Sequence, residues 1–317
     1  MKQAAQHELF TDEEKAIAFW ESKRWPDGPI CPHCGLIGQA YKLQGKSTRP
    51  GLWKCKGCRK PFTAKMRSIF EDSHVPMHIW LYAIHLMCSS KKGMSAFQFH
   101  RMTATFYGRK VSYRTAWFMF HRIRFAMTQH PLVDKFRGVV EADETWIGPK
   151  EKGKGNPGMP TPERSKKRPV FALVERESGK VRSFPIERVT LANIKPIMKA
   201  HIEEGSTIQT DEAAIYHFMR ADFPNHDVVT HKSKQYSYRT PDGRHVTTNT
   251  VEGYFGLLKR GLYGTYHHVG VPYLQQYLNE FDFRYNNRKI TDSERADVAM
   301  QACEGKRLTL RRPTSVQ

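Results

Sequence analysis

Two cysteine pairs of the form Cys-x-x-Cys constrain this chain more than any other feature. Cys31-Pro-His-Cys34 and Cys55-Lys-Gly-Cys58 have 20 residues between them. Each pair can offer two thiolates to one ion, and two pairs complete a closed tetrahedral Cys₄ site of the structural zinc type. The competing reading is a set of reduced free thiols. Gly35 and Gly57 suit the tight turns of such knuckles. A module this small needs its metal to fold. His33 lies between the first two ligands and is expected to be a bystander. Cys88 and Cys303 are isolated and are expected to be buried thiols. Basic and aromatic residues surround the pairs: Lys42, Arg49, Trp53, Lys54, Lys56, Arg59 and Lys60.

The 317 residues suffice for about two domains. Lys plus Arg number 51 and Asp plus Glu 31, a net charge of +20. Such a chain is drawn to polyanions through many weak phosphate contacts and counterion release. Nucleic acid is the first expected partner, with ribosomal or anionic membrane surfaces as alternatives. The opening stretch MKQAAQHELFTDEEKAIAF has no apolar signal core. The longest apolar run, Ile79 to Cys88, is too short to span a bilayer. A cytoplasmic, nucleoid-associated protein with no membrane partner is expected, its cysteines reduced or metal-bound.

Periodicity divides the chain. A helical lead fills 1–27, with a helix over 11–25 started by a Thr11/Glu14 capping box. The ribbon follows at 28–63 and a helical region at 64–132, with helices over 76–90, 93–102 and 111–129. In the last of these Ala116, Phe120, Ile123 and Met127 form an apolar face. Ser112 is a plausible cap, and Arg114, His121, Arg122 and Arg124 are expected on the opposite, basic face. That pairing of an apolar back with a basic front fits a helix-turn-helix-like DNA reader. Residues 133–290 alternate between strands (138–147, 169–176, 181–189, STIQT, VVTH) and helices (191–204, 213–219, 250–262, 272–287), an α/β domain with a mixed sheet. Residues 291–317 are read as a tail. The stretch 149–169, rich in Gly and Pro, carries seven basic residues, among them Lys166, Lys167 and Arg168. It reads as a solvated linker or as a loop that orders on DNA.

Three acids fall at telling places in the α/β region. Asp143 sits within a strand, Asp211 ends one, and Glu252 opens a helix. Acids on three elements can converge in a twisted sheet to hold two Mg²⁺ (or Mn²⁺) ions, hard cations that take oxygen ligands and bring phosphates with them. Any one of them alone would be an ordinary surface or capping carboxylate. Glu144 and Asp143 alternate across the strand, so Glu144 is expected to face away, with Glu141 as support on the Asp143 side. Lys259, two helical turns after Glu252, shares its face and could hold a phosphate.

These features together resemble the ISXO-like insertion-sequence transposases, which carry an N-terminal zinc ribbon and a DDE catalytic domain. The residues carrying the likeness are CPHCG…CKGC, "KKGMSAFQFHR", "RTAWFMFHRIR", "EADETWIG", "QTDEAAIY", "NTVEGYFGLLKRGLYGTYHHV" and "YLNEFDFRYNNR". The resemblance implies a ribonuclease-H-like fold, with Asp143, Asp211 and Glu252 as the catalytic, magnesium-binding triad and Lys259 as their basic companion. It leaves Asn249 as a second candidate for the third position. It implies binding of terminal inverted repeats, cleavage of DNA ends, strand transfer into target DNA, and a homodimer or larger assembly. Lys232, Lys234 and Arg244, in the loop before Glu252, and Arg260 on its helix are further DNA-contacting candidates. Tyr266, His267, His268, Arg284 and Arg288 have DNA-contacting and structural readings of equal standing. The rival readings are a DNA-binding protein without chemistry and a nuclease of the same fold.

Overall fold

The computed structural model describes residues 3–45, 47–108, 110–129, 134–149, 167–213, 215–216, 222–230 and 236–309. The chain forms two compact units, Met1–Thr128 with Ile290–Gln317, and Gln129–Lys289.

The first unit opens with α1 (Gln3–Thr11) and α2 (Glu13–Arg24). The cap of α2 is Asp12, whose carboxylate accepts from Lys15 N at 3.0 Å, and not Thr11. Thr11 is spent on the end of α1, donating its hydroxyl to His7 O at 3.0 Å. An antiparallel sheet follows: β1 (Ala40–Lys42), β2 (Trp53–Cys55) and β3 (Pro61–Phe62). Then come α3 (Met77–Ser89), α4 (Ala96–Tyr107) and α5 (Tyr113–Ala126). Ser95 and Ser112 cap α4 and α5 by accepting from Gln98 N and Thr115 N, each at 3.1 Å. Helix α4 stops at Gly108, whose φ of +62° is open to glycine at little cost.

The second unit contains β4 (Val139–Ile147), β5 (Arg168–Glu175), β6 (Val181–Pro185), α6 (Leu191–His201), β7 (Thr207–Thr210), β8 (His226–Val228), β9 (Ser237–Arg239), β10 (His245–Thr247), α7 (Asn249–Gly261) and α8 (Leu274–Asn286). Its sheet runs β6-β5-β4-β7-β8. The pairs β4–β5 and β5–β6 are antiparallel, whereas β4–β7 and β7–β8 are parallel, so the sheet is mixed as the alternation predicted. Most of the helix expected over 213–219 lies outside the described residues, as does His231 of the last expected strand.

Alternation along β4 assigns its faces. Glu141 and Asp143 pair with Val174 and Ala172, which belong to the core formed with α7 and α8. Ala142 and Glu144 pair with Leu173 and Phe171, which belong to the core formed with α6. The strand therefore shows Glu141 and Asp143 to one helical layer, and Ala142 and Glu144 to the other.

The segment read as a tail returns to the first unit as α9 (Asp292–Gln301). A capping box starts it: Glu294 N donates to Thr291 Oγ1 at 3.3 Å, and Thr291 N to Glu294 Oε2 at 2.8 Å. Arg295 ties it to α3 by donating to Cys88 O at 2.7 Å. Cys88 and Cys303 are both buried, and burial pushes the Cys303 thiol up. Among the described residues no helix is long and apolar enough to cross a membrane.

Candidate functional site

The four ribbon thiols converge. Cys31 Sγ lies 3.6 Å from Cys58 Sγ, and Cys34 Sγ 3.6 Å from Cys55 Sγ; all four fall within 4.8 Å of one another. Four zinc–sulfur bonds of about 2.3 Å at tetrahedral angles separate the sulfurs by about 3.8 Å. The cluster therefore fits structural zinc. The first knuckle is closed by Cys31 N to Leu36 O (3.0 Å) and Gly35 N to Cys31 O (2.9 Å), with Gly35 at φ +78°. His33 stays out of the cluster, its ring on Pro61 O at 3.3 Å. The ribbon is seated on α2 by Glu21, which accepts from Trp53 Nε1 at 2.8 Å and from Lys42 Nζ at 3.1 Å.

Strand register brings the acids together. Glu141 pairs with Gln209 across parallel β4 and β7. Asp143 and Asp211 each follow two residues beyond this last pair, Asp211 just after β7 ends at Thr210. Glu141 and Gln209 also fix where α7 begins. The Glu141 carboxylate, fully buried, accepts from Thr250 N (2.9 Å), Val251 N (3.0 Å) and Thr250 Oγ1 (2.8 Å). Arg176 completes its shell at 2.6 Å and reaches on to the carbonyls of His245 and Thr247. The Gln209 amide brackets the same junction, accepting from Thr247 N at 3.1 Å and donating to His245 O at 3.2 Å. Glu252 is the next residue along α7, exposed, its Oε1 accepting from Thr248 Oγ1 at 2.9 Å. Asn249 is the first residue of the helix and is also exposed.

The acids feel one another. Burial first, and then the charges of Glu144, Asp211 and Glu252, push the Asp143 carboxyl up to about 8, against the pull of the Glu144 N–H on its Oδ1 at 2.7 Å. Asp211 Oδ1 accepts from Ala213 N at 3.0 Å. Glu144 turns to the α6 side, taking the Tyr216 hydroxyl at 2.5 Å, and its carboxyl is raised by burial and by Asp211. Among the described residues only the four thiols bring three or more such ligand atoms within 4.8 Å of one another. At least one pair among Asp143, Asp211 and Glu252 therefore stands farther apart, as like charges in a half-buried setting do.

Where β4 and α7 end there is a cavity of about 510 Å³. Trp146 from the end of β4, Lys167 and Arg168 at the start of β5, Lys259 from α7, and Tyr263 and His268 beyond it contribute to its wall. Helix α7 passes here into a π-helical turn, Leu262–Tyr266, ending on His267 at φ +58°.

The expected DNA-contacting residues divide. On α5, Arg114 is exposed, but His121, Arg122 and Arg124 are buried. Arg122 donates to Ile69 O at 2.8 Å and Glu71 O at 2.9 Å, and Arg124 lies over the Phe120 ring. The expectation of a basic outer face at these three positions is therefore corrected: α5 is covered on the side that its periodicity left polar. Arg244 is exposed but engaged with Asp227 at 3.0 Å and Asp242 at 2.7 Å. Arg260 is exposed. Arg284 is buried against Glu280, which also accepts from Tyr266 at 2.6 Å, and Arg288 caps the carbonyls of Gly179 and Tyr285 at 2.8 and 2.7 Å. These three therefore take structural roles. Lys166, Lys232 and Lys234 lie outside the described residues. Sequence reasoning missed Arg176 and Gln209, which carry no local signal of their role. It also missed Trp146, whose strand pattern reads as ordinary.

A family model described as an ISXO2-like transposase domain matches residues 135–286, and one described as a transposase zinc-ribbon domain matches residues 11–61. A protein of Halobacterium salinarum, described as an uncharacterized protein in transposable element ISH50, is 25% identical over 287 residues, covering 87% of this chain and 91% of its own. Among solved structures, a simian T-cell lymphotropic virus intasome in complex with a PP2A regulatory subunit aligns with a TM-score of 0.27 at 13% identity, over 70% of this chain and 64% of that one. That alignment is too distant to carry fold or function.

Proposed function

This chain belongs to the ISXO-like family of insertion-sequence transposases, and from that premise we propose that it cleaves the DNA ends of its element and joins them to target DNA. The observation that carries the reading is the β4–β7 register, whose last pair lies two residues before both Asp143 and Asp211, with the N-terminus of α7 held there by the buried Glu141. The strand order β6-β5-β4-β7-β8, three antiparallel strands beside two parallel ones, supports a ribonuclease-H-like catalytic domain over 133–290.

In this reading Asp143, Asp211 and Glu252 hold magnesium, with Asn249 as the alternative to Glu252. Their all-oxygen donor set and mutual repulsion fit a hard divalent cation. Bound magnesium would supply positive charge that eases deprotonation of the attacking oxygen and stabilises the departing one. Lys259 binds a phosphate beside the scissile one. A water oxygen bonds to phosphorus as the strand's P–O3′ bond breaks, leaving a 3′-hydroxyl. That hydroxyl's oxygen then bonds to a target phosphorus as the target's own P–O3′ bond breaks and frees a target 3′-hydroxyl, so no covalent protein intermediate forms. The ribbon of 28–63, with structural zinc on its four thiols, and the exposed Arg114 bind the terminal repeats. Bringing two ends together calls for a dimer or a larger assembly.

The test is magnesium-dependent nicking of a duplex carrying the element's own ends. Asp143→Ala should abolish it, and equal activity in that variant would overturn the triad. Comparing Glu252→Gln with Asn249→Ala decides the third position. Sequence-specific binding with no cleavage by the wild type would favour a DNA-binding protein without chemistry.

A further inference from the structure

The cavity at the end of α7 is lined by residues of another kind than the acids. Among the described residues its lining contains no carboxylate. Three fixed cations, Lys167, Arg168 and Lys259, share its wall with Trp146 and Tyr263. Aromatic faces beside phosphate-binding cations are what an unstacked nucleotide needs. The volume of about 510 Å³ falls in the range of pockets that enclose a small ligand.

The backbone is bent to build this wall. Instead of continuing or ending in a cap, α7 widens into the π-helical turn Leu262–Tyr266 and stops on His267, a non-glycine residue at φ +58°, ψ −47°. Local π-helical turns and residues in sparsely populated backbone regions gather at functional sites. Two bonds hold the turn in place: His267 Nδ1 with Tyr263 O at 3.1 Å, and Tyr266 donating to Glu280 at 2.6 Å. The Tyr263 hydroxyl reaches Gly148 N and O at 3.3 and 3.2 Å, which fixes the ring beside the end of β4 while leaving it 44% exposed.

Spacing relates the cavity to the acids. Trp146 is three residues beyond Asp143 on β4, about 10 Å along a strand. Lys259 is seven residues beyond Glu252 on α7, about 10.5 Å along a helix. Lys259 shares the Glu252 side of α7, whereas Trp146, an odd number of residues from Asp143, leaves the opposite face of β4; both border the same cavity. A DNA strand lying over the acids therefore reaches it within a few nucleotides.

We propose that this cavity receives one nucleotide unstacked from the DNA strand, its base against Trp146 and Tyr263 and its phosphates against Lys167, Arg168 and Lys259. The proposal rests on the reading of the chain as a DNA-processing enzyme. It adds a subsite that grips the strand near the cleaved bond, so that base stacking, and not phosphate attraction alone, sets where the strand lies.

The test uses the full-length protein and a five-nucleotide thymidine oligomer with 4-thiothymidine at its centre, irradiated without added magnesium and mapped by mass spectrometry of peptides. The expected adducts are on Trp146 or Tyr263. Unmodified pentathymidylate should compete for them at least about fivefold better than an abasic pentamer of equal charge, the advantage that one stacked base confers. The double substitution Lys167→Ala, Arg168→Ala should lower their yield. Adducts confined to other aromatic residues, or equal competition by the abasic pentamer, would overturn the subsite. Magnesium-dependent nicking by the same preparation separates the two ideas. Nicking without cavity adducts sinks only the subsite, whereas cavity adducts without nicking sink only the nuclease reading.

Discussion

The Glu141 carboxylate, with no exposed surface, accepts from the backbone N–H of Val251 at 3.0 Å, the residue that precedes Glu252. One strand thus carries both Asp143 and, two residues before it, the group that fixes the helix presenting Glu252. A buried anion at a helix N-terminus satisfies donors that the helix itself cannot, and it opposes the positive end of the helix dipole. Glu141→Ala leaves Arg176 and two N–H groups without their acceptor. Removing one partner of a buried ion pair costs about 3–5 kcal/mol. Glu141→Gln keeps one acceptor oxygen and should cost less. Urea unfolding of the three proteins measures this; a Glu141→Ala midpoint equal to that of the wild type would remove Glu141 from its assigned role.

The raised Asp143 carboxyl makes stability depend on pH in a direction that can be worked out. Its folded value of about 8 lies above the ordinary carboxylate value of 3.8. Between those limits the native state keeps a proton that the unfolded state has lost, so stability falls as pH rises from about 4 to about 8 and levels off above. Asp143→Asn should flatten that slope in protein free of divalent metal. At the proposed magnesium site the ion requires the ionised form, so at pH 7 its binding should release about one proton, and its affinity should rise with pH up to about 8. Calorimetry in two buffers of different ionisation enthalpy counts the protons; none released would contradict the shift.

The two kinds of arginine on α5 should behave differently. Arg114 is exposed near the start of the helix, whereas Arg122 holds the carbonyls of Ile69 and Glu71. Arg114→Ala should leave the thermal midpoint within about a degree and lower the slope of log affinity against log salt for duplex DNA by about 1. Arg122→Ala should destabilise the fold by about 2 kcal/mol, since it leaves buried carbonyls unpaired. A reduced salt slope in Arg122→Ala, at unchanged stability, would restore it to the DNA-contacting surface.

The sequence made the chemistry-bearing elements legible because each has a local signature. The cysteine spacing defines the ribbon, strand alternation separates Asp143 from Glu144, and the run from Asn249 to Gly261 reads as an amphipathic helix. Features that depend on contacts distant in sequence were not legible. Arg122 looks outward on a helical wheel, because nothing in α5 tells that the turn at Ile69 to Glu71 covers it. Strands β9 and β10 are three residues each, too short for alternation to show. Helix α9 has few apolar residues and is held to α3 in part by the single donor of Arg295, so its segment reads as a tail. The roles of Arg176 and Gln209 exist only once β4, β7 and the β10–α7 junction are assembled.

Zinc removal is the clearest test of the first unit. The sulfur–sulfur separations of 3.6 Å hold four thiols where only a metal makes their closeness favourable, since ionised thiolates repel. The ribbon's strands are three, three and two residues long and cannot stand on their own hydrogen bonds. Their few apolar anchors, Trp25 against Trp53 and Phe62 at ring-centroid distances of 6.1 and 5.8 Å, are aromatic contacts that a loosened β2 would open. Metal analysis should find about one zinc per chain, and Cys55→Ser should hold little or none. In that variant, and in the wild type after chelation, tryptophan emission should shift to the red as Trp25 and Trp53 meet water. Hydrogen exchange should rise over β1 to β3 while the amides of β4 and β5, in the second unit, keep their protection. A chelated protein with unchanged emission and unchanged ribbon exchange would show that the thiols do not need the ion.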